Sequence, residues 1–115
     1  MKKKKCKIKY HKGLTQTRWR KLNIFEQMAN IGAEIGRTLN WKEKSPPDSK
    51  MAFERALELL DLTIADPKNK NRLKELLRLR ETLADYFVFD NQYSSSKSSW
   101  DNYFYAFDYA ARLRV

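Results

Sequence analysis

The pattern with the most chemical content is a run of ten cations without a carboxylate. Lys2, Lys3, Lys4, Lys5, Lys7, Lys9, Lys12, Arg18, Arg20 and Lys21 fall within the first 21 residues, and no Asp or Glu stands among them. Charge at that density is solvated at a cost in self-repulsion or meets a polyanion. Tyr10, His11 and Trp19 are interleaved with the cations. Single-stranded nucleic acid is held by positive charge along its backbone and by aromatic faces on which bases stack, worth roughly 1–3 kcal/mol per base. The ten cations, with Tyr10 and Trp19 as stacking platforms, are therefore the candidate nucleic-acid-binding residues. Other readings of the segment are a solvated tail, a contact with acidic surface of its own domain, and an anionic membrane surface for which Cys6 supplies an acyl anchor. The whole chain has 24 basic and 14 acidic residues, so residues 22–115 balance one for one.

Other chemistry is weaker. The single His11 and single Cys6 offer no zinc-ligand spacing, and no metal or cofactor is expected. Glu54, Glu58 and Asp61 share a helix face, but a second acidic pair at matching spacing is not evident. Arg80-Glu-Thr-Leu-Ala-Asp85-Tyr86 is similar to the arginine–histidine motif of small helical ribonuclease toxins, with aspartate in place of the imidazole. A carboxylate is a poor base near neutrality without a large pKa shift, so no catalytic residue is assigned. Arg80 lies on an otherwise apolar stripe and reads as an inward arginine in a buried pair with Glu58 or Asp61.

Few glycines and prolines, with many Leu, Lys, Glu, Arg and Ala, favour an all-α domain. Thr17 caps an expected first helix over residues 18–43, with Leu22, Phe25, Met28, Ile35 and Leu39 at spacings of three and four. Ser45-Pro46-Pro47-Asp48 turns the chain, and Asp48 or Ser49 caps a second helix over residues 50–65. Asp66-Pro67 stops it. A third helix is expected over residues 69–87. After a polar loop, Ser98-Ser99-Trp100-Asp101 fits a capping box opening the fourth. Short links make an antiparallel four-helix bundle the default, with residues 1–17 as a basic N-terminal arm and residues 18–115 as the bundle. Ala29, Gly32 and Gly36 make a small-residue face for close packing inside the bundle or against another backbone.

The fourth helix is unusually aromatic, and Trp100, Tyr103, Phe104 and Phe107 are its candidate interface residues. They suit a homo-oligomer, or a protein–protein adaptor. No apolar run reaches the roughly 18–20 residues that cross a bilayer. The basic N-terminus is not followed by the apolar stretch of a secretory signal, and a lone cysteine fits a cytoplasmic location.

In size, charge and expected architecture the whole chain resembles small basic four-helix-bundle proteins of mobile elements. These are the accessory variability determinants of diversity-generating retroelements and the proteins of 23S rRNA intervening sequences. That resemblance implies a non-enzymatic, ring-forming homo-oligomer that binds nucleic acid and a reverse transcriptase. Positive charge in that group is expected over the bundle surface, whereas here it is concentrated in the arm. The segments beginning at Asn23 and Arg55 also resemble those of small bacterial helical proteins with no assigned activity. The expected function is an RNA- or single-stranded-DNA-binding accessory protein, with an adaptor or a small hydrolase or toxin as alternatives.

Overall fold

The computed structural model describes residues 16–113. Its elements are α1 (Gln16–Arg20), α2 (Ile24–Trp41), α3 (Pro46–Ile64), a 3-10 helix (Pro67–Arg72), α4 (Leu73–Phe87) and α5 (Lys97–Leu113), with no strand among the described residues. The all-helical class is as expected, but the number and bounds of the helices differ.

The expected first helix is two. Lys21 N–H and Leu22 N–H bond back to the carbonyls of Arg18 and Trp19 at 3.2 and 3.1 Å, ending α1. Asn23 is extended (φ −77°, ψ 172°) and opens α2 with a reciprocal capping box. Its Oδ1 accepts from Glu26 N–H at 2.9 Å, while Glu26 Oε1 accepts from Asn23 N–H at 3.0 Å. Thr17 lies inside α1 and is not a cap. The second helix begins earlier than expected, because Pro46 and Pro47 occupy its first turn, where a missing N–H costs nothing. Ser45 Oγ donates to Asp48 Oδ2 at 2.8 Å across that turn. The stop at Asp66-Pro67 is present, but the next six residues form a 3-10 helix before α4 begins. The cap of α5 lies at Ser96 rather than Ser98. Ser96 Oγ accepts from Ser99 N–H at 3.1 Å, and Ser99 Oγ accepts from Ser96 N–H at 2.8 Å.

Each helix contributes one apolar stripe to a common interior. Met28, Ile31 and Ile35 come from α2, Phe53, Ala56, Leu59 and Leu60 from α3, Leu76, Leu79 and Leu83 from α4, and Trp100 and Phe104 from α5. Burying each large side chain contributes about 1.5–3 kcal/mol before entropy is counted. Helix α2 is central, packing against both α3 and α5, while α4 lies against α3. Across the gap between α4 and α5, Tyr103 Oη donates to Glu75 Oε2 at 3.1 Å and the Tyr86 and Trp100 rings meet edge to face at 6.1 Å. The α4–α5 loop turns through left-handed residues at Asn91 and Ser94. Asp85, largely buried, holds it by accepting from the Gln92 and Tyr93 N–H groups at 2.7 and 3.0 Å.

The two helical glycines have different reasons. A Cβ on Gly32 would lie 2.8 Å from Cβ of Phe104, so only hydrogen lets α5 approach α2 there. At Gly36 a Cβ would meet nothing within 4 Å. Gly32→Ala therefore trades about 1 kcal/mol of helix propensity for about 1–3 kcal/mol of overpacking, and the variant loses stability. Gly36→Ala gains up to about 1 kcal/mol. Urea midpoints of the two variants check this, and the explanation fails if both move in the same direction.

Candidate nucleic-acid interface

A five-residue helix cannot hold itself together in water, so α1 depends on what it docks against. Trp19 is 3% exposed and belongs to the core. Its Nε1–H donates to Thr63 Oγ1 at 3.0 Å, and its carbonyl accepts from Gln27 Nε2 at 3.1 Å. This corrects the expectation that Trp19 stacks on bases. Indole burial against α3 outweighs the polarity of its neighbours in sequence, and the ring face is not open to a ligand.

Gln27 is the hub of a buried polar joint. Its Nε2 also donates to Asp66 Oδ2 at 2.9 Å, and its Oε1 accepts from Asn69 Nδ2 at 2.9 Å. Asn69 Nδ2 bonds in addition to the Thr63 carbonyl at 3.0 Å. Gln27, Thr63, Asp66 and Asn69 are all buried. At the edge of the joint Lys68 Nζ pairs with Asp66 and donates to the Arg20 carbonyl at 2.8 Å. Arg20 Nη2 donates to the Ala65 carbonyl at 3.1 Å. These bonds fix α1 beside the 3-10 helix and leave Arg18, Arg20 and Lys21 exposed.

That placement creates a basic surface that charge totals conceal. Residues 67–74 carry Lys68, Lys70, Arg72 and Lys74 with no acidic residue. Averaged over residues 22–115 the run disappears into neutrality, but in space it adjoins α1. Lys70 and Lys74 are exposed. Arg72 pairs with Glu75 at 3.3 Å and lies over the Phe25 ring at 5.9 Å. Lys68 therefore joins the cations of α1, and Lys70 and Lys74 follow it in the same acid-free run, all three missed by the sequence reading. A sliding count of like charges would have found them. Lys2, Lys3, Lys4, Lys5, Lys7, Lys9, Tyr10 and Lys12 lie outside the described residues.

The candidate interface on the last helix is also corrected. Trp100 and Phe104 are 5% and 6% exposed, and Tyr103 and Phe107 pack against the core at half burial. Together they form the inward face of α5, joined by ring contacts of 5.1–6.5 Å. The outward face is instead Tyr105, Tyr109 and Leu113. Arg80 pairs with Asp61 in a fork, Nε to Oδ1 at 2.8 Å and Nη2 to Oδ2 at 3.3 Å, but the side chains are 40% and 39% exposed, so the expected inward pair lies at the surface instead. With Asp85 committed to its loop, the toxin-like motif has structural work at both ends. Among the described residues no group of three His, Cys, Asp or Glu is placed to hold a metal ion, and no helix is long and apolar enough to cross a membrane.

Burial alone would raise the Asp66 pKa, but hydrogen bonds from Lys68 Nζ, Gln27 and the Lys68 N–H outweigh it and hold it below the usual carboxylate value. A depressed folded pKa stabilises the protein above the unfolded value, near 3.9, and that stability is lost as pH falls through the folded pKa. Asp66→Asn is expected to cost about 1–3 kcal/mol near neutrality, and the gap from the natural protein closes as pH drops through and below about 4. Urea midpoints from pH 7 to 3 test this, and parallel curves would remove Asp66 from its anchoring role. No protein-family model, no curated protein and no solved structure matches this chain.

Proposed function

We propose that this protein is a non-enzymatic accessory protein that binds RNA or single-stranded DNA through one basic end. That end is made of the arm, the exposed cations of α1 and the cations of residues 68–74. The carrying observation is the junction at Arg20, whose carbonyl accepts from Lys68 and whose guanidinium caps the Ala65 carbonyl. It sets the start of the described chain beside a second acid-free cationic run, so a strand engaged by one segment has the other within reach.

The mobile-element resemblance adds the expectation of a cytoplasmic homo-oligomer serving a larger machine such as a reverse transcriptase. In that reading the four long helices are an antiparallel four-helix bundle in which α4 stands off α5. Several copies of a basic end on one assembly raise the effective concentration of cations on a strand. The second reading, a protein–protein adaptor, now draws on the outward face of α5, where Tyr105 and Tyr109 stack at 6.3 Å and both are exposed.

The test is affinity for RNA and for single-stranded DNA against salt. A cut at Leu22 would remove Trp19 and the joint, so the full-length chain is used with lysines changed to glutamine. Each engaged cation adds about 0.7 to the log–log slope on a single strand. Changing the seven lysines of residues 2–12 is expected to lower the slope by up to about 5. Lys70→Gln with Lys74→Gln is expected to lower it by about 1.4. No binding by the natural protein at low salt would defeat the nucleic-acid reading and leave the adaptor.

A further inference from the structure

Between α4 and α5 lies an open groove of about 830 Å³, within the size range of small-ligand clefts. Leu77, Leu79, Trp100 and Tyr103 line it together with Lys74 and Arg78. Its two carboxylates are engaged: Glu75 accepts from Tyr103 Oη and Arg72, and Glu81 Oε2 accepts from Tyr93 Oη at 3.1 Å. Lys74 and Arg78 enter no ion pair among the described residues. Spaced four apart on α4, they stand on one side of the helix and continue the basic run from residues 68–72 into the groove.

Two further features bear on what would occupy it. Leu77 is half exposed, an apolar wall left in water. Trp100 is 5% exposed and borders the same groove, its ring edge to face with that of Tyr103 at 6.5 Å. The occupant that suits this lining has a flat apolar body and an anionic group within reach of two cations.

We propose that the groove is a nucleotide subsite, in which one base of a bound strand lies among Leu77, Leu79, Trp100 and Tyr103 with its flanking phosphates at Lys74 and Arg78. The inference rests on the nucleic-acid reading and adds to it that the protein senses bases as well as charge.

The experiment compares full-length protein binding to a single-stranded DNA 12-mer and to a strand of equal length with abasic central positions, the two strands matched at each concentration of a salt series. Stacking makes the base-containing strand bind at least about fivefold tighter, and its binding shifts the Trp100 indole N–H resonance, assigned with Trp100→Phe. Leu77→Glu, at a half-exposed position that leaves the fold intact by its melting curve, reduces the preference towards one. If both strands bind equally with a steep salt slope and the resonance stays in place, the groove is not a subsite while the basic end remains a binding surface. If neither strand binds at low salt, the groove proposal falls together with the reading beneath it.

Discussion

The structure depends on a polar constraint inside an apolar interior. Gln27 must find partners for both ends of its amide, and it finds them in four different segments: Trp19 in α1, Asp66 before the 3-10 helix, Asn69 within it, and Thr63 through Asn69. Buried amides left unsatisfied cost more than satisfied ones contribute. The network therefore acts chiefly by excluding alternatives. A shift of α1 or of the 3-10 helix strands several groups at once, and the basic end is consequently placed by the core. The cations of α1 and of residues 68–74 share a surface because their backbones share this joint.

The opposite side of the molecule is organised by apolar contact. Gly32 admits Phe104, which brings α5 onto α2 and turns the Trp100–Phe104 face inward. Once α5 is committed to α2, it meets α4 only through side chains such as Tyr103 and Trp100. Burial, followed by the neighbouring Glu75 charge and its hydrogen bond, raises the Tyr103 pKa, so its hydroxyl stays a donor to Glu75 across the physiological range. The groove between α4 and α5 is thus a by-product of the close approach at Gly32.

Much of this was legible in the sequence where one physical signal dominates. Apolar spacing marked the stripes through Met28 and Ile35 in α2 and through Leu76 and Leu83 in α4, and the residue before Pro67 marked the end of α3. An arginine on an apolar stripe announced a carboxylate partner, left open between Glu58 and Asp61, of which the structure has Asp61. Two features were readable and overlooked: Asn23 and Glu26 are spaced for a capping box, and residues 67–74 are locally cationic. Others could not be read. Trp19 among cations has the pattern of an exposed stacking residue, and only the tertiary contact with Thr63 makes it core. Gln27 and Asn69 have the composition of surface residues, and their burial follows from partners 39 and 42 residues away. Which aromatics of α5 face inward was undecidable without knowing that Gly32 receives Phe104.

The span of the joint also has a kinetic meaning. The bond from Trp19 to Thr63 closes a loop of 44 residues in sequence separation, and α1 has little besides such distant contacts to order it. The entropy of closing so long a loop is unfavourable until α2 and α3 have paired and shortened it. Docking of α1 therefore follows the pairing of α2 with α3. The same dependence lets α1 undock while the α2–α3 hairpin stays paired. A protein arranged this way keeps its charged surface and its interior on different clocks.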